Sequence, residues 1–354
     1  MDRIESFLIG KQVIGKDSPC FVIAEAGSNH NQDYNLALKL IEAAADAKAN
    51  AVKFQVFSAD EIAANTTDII ASLNGDKFSK YGKTLYDLYK NLELPRKWLP
   101  KLKKHAENCG IMFSATPFDE SAVDELERIK IEFYKIASFE LVHIPLISYA
   151  AQTQKPIILS TGMATLDDIS DGVKAITKTG NNNYALLHCG IEYPPRMEDI
   201  HLAAMDKMRE VFSCPVGYSD HSLGLTVPIA AVARGAKIIE KHFTLDKTLE
   251  GPDHKFALSP KELKDMVKAI RETELAIGKS DKMPVQAELI YLKRGRRSLF
   301  AKCEIKKGEV ITKDMISILR PALGIMPKYI DEIIGKKAKN TIPKNEPIVW
   351  ELIE

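Results

Sequence analysis

No run in the 354 residues approaches the ~18 consecutive apolar positions that a bilayer-crossing helix needs. The longest uncharged stretches, such as Leu223–Ala233, fall well short, so no membrane partner is expected. Residues 1–16 carry charges early and lack an apolar h-region, which argues against a secretory leader. Cysteine is sparse: five residues (Cys20, Cys109, Cys189, Cys214, Cys303), scattered, odd in number and without a CxxC pair. That pattern excludes a disulfide framework or zinc knuckle and points to free thiols in a reducing, cytoplasmic setting. An excess of one charge is also missing. Lys and Arg total 49 against 48 Asp and Glu, a net of +1, so binding of nucleic acid through bulk charge is excluded. What is present is ordinary for a folded chain: 45% hydrophobic and 27% charged residues, enough for a sizeable core and too apolar for disorder.

A repeating unit dominates residues 21–244: a short apolar run, then a helical stretch, then another run. Eight candidate strands result: Phe21–Ala26, Ala51–Phe57, Ile111–Thr116, Phe133–Ala137, Pro156–Thr161, Tyr184–Cys189, Pro215–Tyr218 and Lys237–His242. Their hydrophobicity is nearly continuous, as in parallel strands buried on both faces. Helical periodicity fills gaps at Asn35–Ala47, Leu99–Asn108, Ala122–Ile129, Leu166–Thr177 and Pro260–Ile277. Eight such βα units predict an α/β fold, a TIM (β/α)8 barrel, over residues 1–278. The rival, a doubly wound open sheet, would usually carry a Gly-rich phosphate turn after its first strand, where this chain has Gly27-Ser28-Asn29-His30. The second gap is long, and its polar section Asn74–Lys83 has the character of an active-site loop or lid. Residues 279–296 read as a linker with one short helix. Residues 297–354 read as short strands and turns. Residues 290–354 hold 14 basic and 8 acidic side chains, about +6, which suggests docking or an anionic ligand beside a solvated basic surface.

In a (β/α)8 barrel the chemistry sits at the C-terminal ends of the strands. Those ends are unusually polar here. Glu25, Lys53, Gln55, Ser114, Thr116, Lys135, Ser138, Glu140, Ser160, His188, Tyr193, Ser219, His221, Glu240 and His242 all fall on or just after them. Lys53 and Gln55 share parity, so both can face the interior. A charge inside an apolar strand costs several kcal/mol unless it is paired or ligand-bound. Two interior lysines with nearby hydroxyls make a site for phosphate or carboxylate; the plainer reading pairs Lys53 and Lys135 with Glu25 and Glu140. His221 and His242 end adjacent strands and are spaced to share a divalent metal, although lone histidines are more often hydrogen-bonded core residues. The few soft ligands lean away from structural zinc. The Gly251-Pro252 turn would hold Asp253 over the barrel mouth, for substrate hydroxyls or simply as a turn former.

These motifs resemble the N-acetylneuraminate (sialic acid) synthase family, which includes legionaminic and pseudaminic acid synthases. The resemblance rests on FVIAEAGSNH (21–30), AVKFQ (51–55), SATPF (114–118), YKIAS (134–138), LSTGM (159–163), YSDH (218–221), EKHF (240–243) and GPD (251–253). Residues 297–354 resemble the antifreeze-like SAF domain, a β-clip module, that follows the barrel in those enzymes. The resemblance implies condensation of phosphoenolpyruvate with N-acetylmannosamine or a related N-acetylated hexosamine, releasing phosphate. It places metal ligands on His221 and His242, and phosphoenolpyruvate contacts on Lys53, Lys135, Ser138, Ser160 and Ser219, with Thr116 beside them. Glu25 falls next to the reacting carbons, and Gln55, Glu140, Tyr193 and Asp253 fall where the sugar is held. It implies a divalent cofactor, Mn²⁺ by expectation with Mg²⁺ or Co²⁺ as alternatives. It also implies a domain-swapped homodimer whose SAF domain extends Arg320 into the partner's active site.

One departure stands out. Ile191 occupies a position where a small polar residue is usual, and its side chain cannot donate a hydrogen bond. The alternatives are a synthase acting on a 2,4-diacetamido-trideoxyhexose, a seven- or eight-carbon keto-acid synthase without the SAF-like tail, a metal-dependent pyruvate aldolase, and a non-catalytic carbohydrate-binding protein.

Overall fold

The computed structural model describes residues 4–69, 72–73, 75–76 and 78–354. Two compact units divide after Gly278: Met1–Gly278 and Lys279–Glu354.

The first unit opens with a hairpin that periodicity did not reveal, β1 (Ser6–Ile9) against β2 (Gln12–Gly15). Eight strands follow: β3 (Phe21–Gly27), β4 (Ala51–Val56), β5 (Met112–Pro117), β6 (Tyr134–Ile136), β7 (Ile157–Ser160), β8 (Tyr184–Cys189), β9 (Val216–Asp220) and β10 (Ile238–His242). Their order is β5-β4-β3-β10-β9-β8-β7-β6, with every hydrogen-bonded neighbour pair parallel. The first and last barrel strands therefore pair. The ring closes beside β5, where the Ser114 hydroxyl donates to the Phe133 carbonyl at 2.8 Å. This is the (β/α)8 barrel the strand spacing predicted.

Parallel strands need apolar side chains on both faces, and these have them. Val22, Ala24, Val52, Phe54, Leu186 and Ile239 face outward to the helix layer. Phe21, Ile23, Phe133, Ile158, Ala185, Leu187 and Ile238 fill the interior toward one end, where Phe7, Ile9 and Ile14 of the hairpin join them. The hairpin is thus a stopper for the N-terminal end, and the polar residues are left to the other end. Sequence signals mark the helix starts. Thr165 and Asp168 form a reciprocal capping box on Leu166–Thr177, and Ser259 and Glu262 another on Pro260–Ile277. The barrel helices Ile144–Gln152, Ala204–Phe212 and Thr226–Ala233, implied by the eight units, were not placed by periodicity. The last is apolar almost all round, which blurs the periodicity.

The described part of the long second gap contains helices Ala59–Ile62 and Leu85–Leu92 and the 3₁₀ turns Ser79–Tyr81 and Arg96–Trp98, ahead of helix Leu99–Asn108. Of the polar section 74–83, Asn74 and Lys77 lie outside the described residues.

The second unit pairs β11 (Ser298–Ala301) antiparallel with β12 (Ile316–Leu319). It buries its own small core of Leu299, Ile305, Ile311, Ile333, Ile342 and Ile348. Residues from Lys279, including the short helix Leu289–Arg294, group with this unit. Among the described residues, no helix is long and apolar enough to cross a membrane.

Candidate active site

Strand register assembles the site. Glu25 lies opposite Lys53, Gln55 opposite Thr116, Ser219 opposite Glu240, and His242 opposite Glu25. Parity turns Lys53, Gln55, Ser114 and Thr116 inward as anticipated. His188, in contrast, points out of the barrel and meets the Ile200 carbonyl at 2.8 Å. That turns it away from the mouth, because it is out of step with Leu187 and Cys189.

The two lysines are deeply buried and share one carboxylate. Lys53 Nζ stands 2.7 Å from Glu25 Oε2, donates to Thr116 Oγ1 at 2.9 Å, and lies 3.8 Å from Glu240 Oε2. Lys135 Nζ donates to the Ile136 carbonyl at 2.9 Å and lies 3.8 Å from Glu240 Oε1. The internal partner of Lys135 is therefore Glu240, not the Glu140 that the sequence suggested. Ser219 Oγ donates to Glu240 Oε1 at 3.1 Å, and Gln55 Nε2 to Glu25 Oε1 at 3.0 Å.

Burial raises the Glu25 carboxyl above its ordinary range, against the pull of Lys53. Burial would lower Lys53, but Glu240 and Glu25 hold it up; Lys135, with less compensation, is lowered by burial. Glu240 is kept low because Lys135 and Lys53 outweigh its burial. Two ammoniums thus face two carboxylates, one held acidic and one poised higher. Ser160 Oγ is buried with no hydrogen bond among the described residues. Ser138 Oγ accepts from the Gly162 backbone N–H at 2.9 Å. One unclaimed buried hydroxyl, Ser160, next to cations that share a partner, makes this cluster a candidate anion site.

Ile191 closes the same corner. A Cβ added to Gly162 would lie 2.5 Å from Ile191 Cγ2 and 2.9 Å from Ser138 Oγ. Ile191 therefore packs as an apolar lid on the turn that positions Ser138, where a shorter polar side chain would leave space.

On the facing side the rings of His221 and His242 lie 5.3 Å apart. Tyr193 stacks on His221 at 4.1 Å, and Phe256 packs 5.3 Å from His242. His221 Nδ1 meets the Gly190 carbonyl at 2.6 Å, which makes that nitrogen an N–H donor; burial would lower this imidazole, but Cys189 and the carbonyl hold it above its ordinary range. His242 Nδ1 is buried with no hydrogen bond among the described residues, and Asp253 Oδ2 lies 3.5 Å away. Burial, then His221 and the lysines, hold His242 well below the usual imidazole range, so it stays neutral, as a metal ligand must be. The donor set fits a divalent cation held by two imidazoles. Among the described residues no third His, Cys, Asp or Glu completes a protein-only cage, and such an open shell leaves positions for substrate or water. Burial lifts Asp253 to about 6 and Glu140 to about 7. The Tyr81 hydroxyl accepts from the Gly251 N–H at 3.1 Å, so the described part of the long second loop reaches the turn that carries Asp253.

Every barrel residue singled out from sequence for the site (Glu25, Lys53, Gln55, Thr116, Lys135, Ser138, Glu140, Ser160, Tyr193, Ser219, His221, His242 and Asp253) thus lies at or near one mouth. Arg320 lies on the second unit, exposed, directly after β12. Sequence reasoning assigned no role to Glu240, although its parity with His242 marked it. It gave no sign of Phe256, because a lone Phe in a loop carries no pattern.

This arrangement defines a class: a (β/α)8 enzyme with two buried lysines and two neighbouring histidines at its mouth, followed by a small β-rich domain. The chain belongs to the NeuB family, whose sequence profile matches residues 40–282, and a SAF domain profile matches residues 296–354. It is 38% identical over 344 residues to the N,N'-diacetyllegionaminic acid synthase of Legionella pneumophila, covering 96% of each chain. It is 37% identical over 336 residues to the pseudaminic acid synthase of Helicobacter pylori, covering 95% of this chain and 98% of that one. Among solved structures, the N-acetylneuraminic acid synthetase of Leptospira borgpetersenii, in complex with citrate, matches with a TM-score of 0.72 and 36% identity. That match covers 82% of this chain and 96% of the other.

Proposed function

We propose that this nonulosonic-acid synthase condenses phosphoenolpyruvate with the open-chain aldehyde of an N-acetylated hexose. The observation that carries the reading is the adjacency of two clusters at one barrel mouth: two buried lysines with nearby hydroxyls, and a pair of neighbouring imidazoles. In the reaction, the methylene carbon of phosphoenolpyruvate bonds to the aldehyde carbon. Water adds to the former enol carbon, and phosphate leaves to give the 2-keto acid.

Lys53 and Lys135, with Ser138, Ser160 and Ser219, would bind the carboxylate and phosphate by charge-assisted hydrogen bonds. Their exchange of Glu240 for substrate avoids leaving either ammonium unpaired in the dry interior. Glu25, buried and poised above the ordinary carboxylate range, would steady positive charge at the enol carbon or hold the attacking water. Gln55, Glu140, Tyr193 and Asp253 would orient the sugar, the two raised carboxyls being able to donate as well as accept near neutrality. A divalent cation held by His221 and His242, Mn²⁺ in this reading, would supply Lewis-acid polarisation of the aldehyde oxygen.

The acceptor is an N-acetylmannosamine-type sugar. The second reading, a 2,4-diacetamido-trideoxyhexose, draws support from the names of the Legionella and Helicobacter relatives. We further infer a homodimer in which the SAF domain caps the opposite barrel, so that the partner subunit's Arg320 joins the site, in a cytoplasmic enzyme whose cysteines are free.

The test is phosphate release from the full chain with phosphoenolpyruvate, Mn²⁺ and a panel of N-acetylated mannose derivatives, with and without chelator. Release that requires both metal and one sugar supports the reading and identifies the acceptor. Condensation of pyruvate supplied in place of phosphoenolpyruvate, or no turnover by folded, metal-loaded protein with any sugar, overturns it.

A further inference from the structure

Asp220 and Lys241 form a buried ion pair directly behind the two histidines. They are cross-strand neighbours in the β9–β10 register, one rung beyond Ser219 and Glu240. Side chains alternate along a strand, so Ser219 and Glu240 meet inside the barrel while Asp220 and Lys241 meet outside it, under the helices. Lys241 Nζ lies 2.5 Å from Asp220 Oδ2, and the two side chains are 1% and 0% exposed. Lys241 Nζ also donates to the Ser222 carbonyl, and Asp220 Oδ1 accepts from the Ser222 N–H at 2.9 Å. The pair therefore grips both ends of the turn Asp220-His221-Ser222. Lys241 is also the residue immediately before His242. One ionic contact thus ties the backbone that carries His221 to the backbone that carries His242.

Stability alone does not explain an ion pair here. The other outward-facing residues of these strands, Val216, Tyr218 and Ile239, pack in the main apolar core. A buried ion pair is often no more stabilising than apolar residues of similar volume. What it adds is a fixed distance and direction. The strands are also pressed together: a Cβ on Gly217 would lie 2.2 Å from the Ile238 carbonyl oxygen, so only glycine permits this approach. Close strands with an ionic tie at their tips leave the two imidazoles little freedom.

We infer that Asp220 and Lys241 are positioning residues whose ion pair sets the separation and orientation of His221 and His242 for a divalent cation. The inference rests on the reading of those histidines as metal ligands. Groups that orient metal ligands from behind typically change affinity ~10–100-fold when removed.

The experiment uses Co²⁺ titration of the metal-free full-length protein, followed by the visible d–d bands and by calorimetry. Wild type, D220L/K241M, D220N, K241R and H221A/H242A are compared, and folding is checked by circular dichroism. The double substitution removes the charges while retaining apolar bulk, and should weaken Co²⁺ binding ~10–100-fold and shift the bands. Phosphoenolpyruvate affinity should stay within about threefold, because the lysine pocket is on the opposite face of the strands. K241R, which keeps the charge, should recover part of the loss. D220N, nearly isosteric, gives a second reading if the double variant does not fold. Wild-type affinity and unchanged bands in folded D220L/K241M or D220N overturn the inference. Co²⁺ binding that survives H221A/H242A overturns the underlying ligand assignment instead.

Discussion

Replacing Lys135 with Met tests the anion pocket directly. The substitution keeps most of the side-chain length and removes only the ammonium, whose nitrogen lies 3.8 Å from Glu240 Oε1. Two unit charges at that distance interact by about 4 kcal/mol at an effective dielectric of ~20. Glu240 retains Lys53, also at 3.8 Å, and the Ser219 hydroxyl. The resting carboxylate is therefore not orphaned, and the variant should fold. The bound substrate loses more. One charge-assisted contact to its phosphate or carboxylate disappears, worth ~1.5–3 kcal/mol, which corresponds to a ~10–150-fold weaker phosphoenolpyruvate affinity. The acceptor sugar's KM should change far less. Calorimetric titration with phosphoenolpyruvate, alongside steady-state phosphate release, separates the two. Adding E240Q to K135M should restore part of the loss, since the unneutralised carboxylate then no longer repels the anion. An affinity within threefold of wild type in folded K135M would refute the assignment of this lysine to substrate.

Glu140→Gln reports on the raised carboxyl. A carboxyl lifted to about 7 binds its proton more tightly in the folded chain than in the unfolded one. Wild type should therefore lose stability as pH rises from ~4.5 to about 7, and the glutamine variant should not. At pH 8 the variant should be more stable, by on the order of 2–3 kcal/mol, with the difference gone below pH 4.5; denaturant melts at each pH measure this. Gly162→Ala forces a Cβ to within 2.5 Å of Ile191 Cγ2 and 2.9 Å of Ser138 Oγ. It should weaken phosphoenolpyruvate binding by roughly tenfold or more, and G162A/I191V should recover part of it; equal affinities in all three proteins would show that this corner does not touch the anion. Phe7→Ala empties a buried position in the hairpin stopper. It should cost ~3–5 kcal/mol in unfolding experiments while kcat of the remaining folded enzyme is unchanged, because the stopper and the mouth are at opposite ends.

The barrel was legible because its strands carry two independent marks: length and apolar continuity. The observed strands begin and end within two residues of the predicted ones. The hairpin was not legible, since SFLI and QVIG are four residues each and partly exposed. Only packing against Phe21, Phe133 and Ile238 makes them an element. Lys53, Lys135, His221 and His242 were legible as candidate site residues because charged or ligating side chains at strand tips are costly without a use. Their partners were less so. Glu140 and Glu240 are the same residue type and both lie at or just after strand ends, and which one meets Lys135 depends on which strand end faces β6 across the barrel. Periodicity has no access to that distance.

The sequence by itself determined the βα repeat, the inward parity of Lys53 and Gln55, the helix starts at Leu166 and Pro260, and the residues that could do chemistry. These are consequences of local backbone geometry and of the cost of burying charge, which act within a few residues. Tertiary structure alone decided that Glu240 stands between two lysines, that Phe256 and Tyr193 wall the histidines, that Ile191 packs on Gly162, and that Asp220 and Lys241 meet behind the site. Each of those contacts joins segments that are brought together only when the sheet closes, and ring closure depends on the strand register, a long-range quantity that no local pattern encodes.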